Sequence, residues 1–105
     1  VEQAPVIVVL CMKKKLTTHV LAPLLSGIHY EFLDLGIAGE HLVLAAEEHG
    51  LGSCWIGWIR AAQTKKVLDL PFDVTPVSFL TLGYSAEQRE PTARFPLEEI
   101  LTFLR

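Results

Sequence analysis

The sequence predicts an α+β domain, a layered α/β/α sandwich in which one long helix lies against a mixed sheet. Three observations carry that expectation. Strand-like and helix-like stretches alternate along the chain, the pattern of layered helix–sheet architectures. Residues 34–49 repeat apolar positions at helical spacing. Residues 6–12 (VIVVLCM) and 77–82 (VSFLTL) are short apolar runs of strand length.

Each element follows from local chemistry. The run 6–12 is continuously apolar, not alternating, so it is expected to be covered on both faces. Lys13, Lys14 and Lys15 end it in solvent. Pro23 and Gly27 interrupt residues 16–30, which read as a loop with a short helical turn. Asp34 suits a helix N-cap. Beyond it, Leu35, Ala38, Leu42, Ala45 and His49 form a stripe that Ile37 and Leu44 widen, giving a helix over about 32–49. Gly36 and Gly39 lie inside it, each costing up to about 1 kcal/mol against alanine. Something is expected to approach that helix closely, either another helix or a ligand. Gly50 closes it as the residue just past the C-cap. Residues 53–57 read as a short strand and 61–68 as a short helix with Lys65 and Lys66 near its C-terminus. After the strand at 77–82, a polar connection leads to a last helix that opens on Pro96 with Glu98 and Glu99 in its first turn.

Composition narrows the function. A chain of 105 residues is one domain at most, with no internal boundary in 1–105. It is 50% hydrophobic and 20% charged, more apolar than a small closed domain needs, so an obligate partner or a further segment is expected. It opens on Val-Glu-Gln-Ala-Pro and reaches a strand by residue 6, which reads as part of a longer or processed polypeptide. The net charge is −3, and the one basic cluster, Lys13 to Lys15, has no interleaved aromatics, which argues against nucleic acid. The run 6–12 is too short to span a bilayer and lacks the basic flank of a signal peptide. Cys11 and Cys54 have no CxxC spacing and read as buried thiols in a reducing compartment. A cytoplasmic protein that binds no membrane is expected.

Candidate chemistry is sparse. Gly50, Gly52 and Gly57 do not make the dinucleotide fingerprint, and they precede a strand instead of following one. His19, His29, His41 and His49 are scattered without metal-ligand spacing. Cys54 sits beside Trp55 with no base or positive charge to activate it. The pairs Glu47/Glu48 and Glu98/Glu99 suit solvated helix faces. Neither a catalytic side chain nor a metal ligand is expected. SCWIGWI remains. Two tryptophans flanking a glycine in an extended segment suit a flat aromatic ligand, with a backbone amide presented where glycine leaves room. Composition alone favours, though not strongly, an ordinary core strand whose glycine makes a bulge.

Taken in order, these segments resemble the nitroreductase family. Ala4-Pro-Val-Ile-Val-Val9 is similar to one of its strands, Asp34-Leu-Gly-Ile-Ala-Gly-Glu-His-Leu-Val-Leu-Ala-Ala46 to its long helix, and Gly50-Leu-Gly-Ser-Cys-Trp-Ile-Gly57 to the segment that follows. Val67-Leu-Asp-Leu-Pro71, Leu82-Gly-Tyr84 and Arg94-Phe-Pro-Leu-Glu98 resemble the remainder. The resemblance implies the C-terminal part of a nitroreductase-like domain. It implies a homodimer that binds FMN and uses NAD(P)H to reduce nitroaromatics, quinones or similar small aromatic acceptors. It places the backbone of Trp55, Ile56, Gly57 and Trp58 against the isoalloxazine ring, with an amide near N5, and Arg94 on the FMN phosphate. Thr92 stands where relatives often carry a second basic residue, and the family's Arg/Ser-rich phosphate segment has no counterpart in this chain. A non-catalytic dimerisation or ligand-binding fragment is the alternative expectation.

Overall fold

The computed structural model describes residues 3–15, 21–87 and 90–104. Seven elements run in the order β1 (Val6–Lys13), α1 (Ala22–Ser26), α2 (Tyr30–Glu48), β2 (Gly52–Ile56), α3 (Ala61–Val67), β3 (Val74–Gly83) and α4 (Leu97–Ile100). The strands form one sheet in the order β1-β3-β2. The α+β class and the long helix laid on a sheet agree with the sequence expectation. Over these three strands, though, the pairing is antiparallel throughout and not mixed.

The last strand in sequence is the middle one in space. Pro76, Ser78, Leu80 and Thr81 of β3 are buried, and Leu80 is 0% exposed. Strand β1, expected to be covered on both faces, lies at the edge of the described sheet with Val6 and Ile7 exposed. Strand β3 also begins three residues earlier than its apolar run suggests. Pro76 hides that start, because proline cannot donate to the ladder and is tolerated in a sheet chiefly at bulges and edges. Here it stands at a bulge. The register passes from Leu10–Ser78 to Cys11–Pro76, leaving Val77 between the pairs.

Helix α2 starts at Tyr30 with His29 as N-cap, so Asp34 lies inside it and does not cap it. Its buried residues are Glu31, Gly39 and Ala46, with Leu35, Leu42 and Val43 half-buried. Ala38, Ala45 and His49 of the expected stripe are exposed, as are Ile37 and Leu44. The contact line is rotated by about one residue because α2 turns its small residues, not its large ones, to the sheet. Gly39 explains this. A Cβ there would stand 2.7 Å from Trp55 Cζ2 and 2.9 Å from Leu10 Cδ1, and closer still to Trp55 Cη2. The close approach signalled by the helix glycines is therefore a side chain of the sheet. Around Gly36 nothing comes within 4 Å of where a Cβ would stand.

The end of α2 follows the sequence reading. Gly50 adopts φ 70°, its amide donates to the Glu47 carbonyl at 2.9 Å, and the Leu51 amide donates to the Ala46 carbonyl at 2.9 Å. These are the two bonds of a Schellman termination. Gly50→Ala is expected to cost about 1–2 kcal/mol, the penalty of a Cβ in left-handed backbone. A urea midpoint unchanged by the substitution would contradict that.

The last helix is shorter than expected, four residues, with Pro96 as its N-cap and not its first residue. The expected loop at 16–30 contains α1, which ends on Gly27 at φ 68°. Residues 16–20 of that stretch, with His19, lie outside the described residues.

Surface area shows how open this arrangement is. The accessible area is 9112 Å², against about 5,900 Å² for a closed monomer of 11.7 kDa. Large apolar side chains make up much of the surplus, among them Leu24, Leu25, Ile37, Leu44, Phe72, Phe95 and Phe103. No helix among the described residues is long and apolar enough to cross a membrane.

Candidate flavin-binding segment

Strand β2 and the residues after it hold most of the expected site. β2 pairs with β3 on one side and forms an edge of the described sheet. An edge strand presents backbone N–H and C=O groups outward, the donors and acceptors that a flat heteroaromatic ring can meet. Beyond Ile56 the chain leaves the strand, and residues 57–60 have no regular secondary structure.

The four expected residues behave differently. Trp55 pairs with Leu80, which also pairs with Val8, so the three share the face that α2 covers. Its indole lies against Gly39 and Leu10, although the residue as a whole is 40% exposed. The Trp55 indole is therefore a packing group beneath the helix, while the expectation at this position concerns its backbone. Ile56 is half-buried and, one residue on, faces the other side of the sheet. Gly57 is exposed, with nothing within 4 Å of where a Cβ would sit. Trp58 is 98% exposed. Arg94 lies in the exposed segment before α4, and its Nη1 donates to the Thr92 carbonyl at 3.2 Å.

The donor set fits an FMN ring better than a catalytic side-chain machinery. An edge strand of the described sheet runs out into an open glycine, with nothing among the described residues within 4 Å of where a Cβ would stand. Thr81 Oγ1 donates to the Cys54 carbonyl at 3.5 Å, and Cys54 Sγ lies 3.6 Å from the Trp55 carbonyl. Cys54 is exposed and Cys11 half-buried, so the expectation of two buried thiols is corrected. Burial raises the Cys11 thiol pKa, which keeps it protonated and unreactive at neutral pH. The two cysteines sit on strands separated by β3, roughly 9–10 Å apart across the sheet, and pair opposite Pro76 and Thr81, roughly 16 Å apart along it. A disulfide spans at most about 7 Å between Cα atoms.

Two polar features lie elsewhere. His29 Nδ1 and Glu31 Oε1 are 2.9 Å apart at the start of α2, with the Glu31 side chain only 6% exposed. A concavity between the end of β1 and the first half of α2 is lined by Met12, Lys13, Glu31, Asp34, Leu35 and Ala38. None of the expected site residues lines it. Lys13 also pairs with Asp73 at 3.7 Å. Among the described residues no three or more His, Cys, Asp and Glu side chains gather as a metal site would require. Sequence reasoning does not single out Gly39 as a site residue. Its signal is a glycine in a helix interior, which marks close approach without naming what approaches.

Comparison with known proteins agrees with this geometry. The Nitroreductase family model matches residues 1–84. The chain is 34% identical over 70 residues to "FMN reductase (NADPH)" of Bacillus subtilis, covering 65% of this chain and 28% of that one. A solved structure of the hypothetical oxidoreductase YcnD from Bacillus subtilis is 30% identical with a TM-score of 0.77, covering 99% of this chain and 48% of that one. A nitroreductase family protein from Clostridium difficile is 27% identical with a TM-score of 0.78, covering 96% and 60%. The chain spans about a third of the length of the curated relatives it matches. Arg94 lies beyond the matched residues 1–84, while both solved structures cover nearly the whole chain. The chain belongs to the nitroreductase family.

Proposed function

We propose that this chain forms one wall of an FMN site in an oxidoreductase of nitroreductase type, which uses NAD(P)H to reduce nitroaromatic, quinone or similar acceptors. The observation that carries the reading is the end of β2, where an edge strand opens into unobstructed Gly57 in a chain of this family. The relative named as an FMN reductase using NADPH supports the choice of cofactor.

FMN supplies the hydride chemistry when bound. The backbone of Trp55, Ile56 and Gly57 orients the ring and offers amides to its edge, while Trp58 shields an outer flank. Arg94 meets the phosphate with its planar fork of donors. It is free to turn there because its bond to the Thr92 carbonyl is a single neutral-acceptor contact at an exposed site. No general acid or base is required of the protein. The remaining walls come from the rest of the domain and from a second copy, in a homodimer. Tyr30, Leu33, Ile37 and Leu44, exposed at heptad-like spacing on α2, form a surface for that association. A cytoplasmic setting suits its free thiols and NAD(P)H.

Thermal melting of the full-length protein with and without FMN tests the reading. A ligand that binds only the native state stabilises it by about 2.7 kcal/mol at a hundredfold excess over Kd. A clear rise in Tm is expected. An oligomer whose Tm ignores FMN would overturn the proposal and favour a dimerisation domain without a flavin.

A further inference from the structure

We infer that Gly39 is a positioning residue for the flavin-facing segment and acts through the indole of Trp55. The inference rests on the reading of residues 55–57 as a flavin wall. Among the described residues strand β2 is held by β3 on one side only, so its outer side depends on side-chain packing. On the face toward α2, Trp55 is the last large side chain before the chain opens at Gly57, and Trp58 is 98% exposed and anchors nothing. The Trp55 indole enters a space that exists because position 39 has no Cβ. Leu10 Cδ1 closes the other side of that space.

The contact is one of shape, with a rigid ring as one partner. A methyl at position 39 would need about 1.5 Å more room from the nearest Trp55 ring atom to reach ordinary van der Waals contact. Leu10 ends in a flexible methyl and can yield, but the indole moves only as a plane, and its displacement is passed to the strand backbone. Helix α2 thereby sets where the Trp55–Gly57 backbone sits relative to the ring. Gly36, one turn earlier with open space around it, has no such role.

The test uses the full-length protein. Gly39→Ala is expected to weaken FMN binding by at least about tenfold, or about 1.4 kcal/mol. It should also shift the visible absorption bands of bound FMN, at a temperature where circular dichroism shows the variant folded. Adding Trp55→Phe, whose ring lacks the outer benzo edge, is expected to restore most of the affinity and the original spectrum, since residues in contact couple. Gly36→Ala should leave both unchanged. A folded Gly39→Ala protein with wild-type affinity and spectrum overturns the inference, as does failure of the folded double variant to recover. Where Gly39→Ala does not fold, Trp55→Phe alone decides. It leaves the space half filled and is expected to weaken FMN binding severalfold, and unchanged affinity overturns the inference. Wild-type protein that binds no FMN refutes the flavin reading itself, an outcome distinct from a silent Gly39→Ala.

Discussion

Leu80→Ala is expected to destabilise the fold by about 2–5 kcal/mol, the cost of emptying a fully buried leucine site. Leu80 is 0% exposed and sits on the middle strand, opposite Val8 on one side and Trp55 on the other, beneath α2. All three described strands meet at that position. Whole domains are stable by only about 5–15 kcal/mol, so the substitution removes a large share of the total. Urea unfolding should show a lower midpoint with an unchanged slope. Phe72→Ala, at a residue 92% exposed, is the control and should stay within about 0.5 kcal/mol in this chain. A Leu80→Ala loss below that of the control would show that β3 is not the centre of the core.

Arg94→Ala is expected to weaken FMN binding by about 1.5–3 kcal/mol, the range for a hydrogen bond to a charged group. That corresponds to roughly 10- to 150-fold in Kd. Folding should be unaffected, because Arg94 is exposed and its one hydrogen bond is local, to the Thr92 carbonyl. Arg94→Lys should recover part of the loss, since an ammonium keeps the charge without the planar fork. With Thr92 in place of a second basic residue, the loss should fall fully on Arg94. Unchanged affinity in Arg94→Ala would remove it from the phosphate site and leave the ring-facing segment standing.

Much of the fold was legible because its signals are local. Gly50 announced its left-handed termination, and the apolar run at 6–12 announced a strand. What escaped depends on order in space. An apolar run looks the same at the centre of a sheet as at an edge awaiting cover, so β1, expected to be covered on both faces, lies at the edge while β3 takes the centre. The start of β3 at Val74 was missed because a sequence does not display the bulge that admits Pro76. The phase of α2 was missed because helical periodicity weighs large apolar residues, whereas this helix presents Gly39 and Ala46 to the sheet. The site divides the same way. The SCWIGWI segment stood out by composition. Only the order β1-β3-β2 decides that the Trp55 indole turns under the helix and leaves Gly57 open.

Whether the full-length protein is a flavin oxidoreductase is decided by anaerobic addition of NADH and of NADPH to its FMN-loaded form. One or both nucleotides are expected to bleach the visible flavin absorption, and a nitroaromatic or quinone is then expected to restore it. Flavin that stays bound and fully coloured in the presence of both nucleotides would contradict the proposed function.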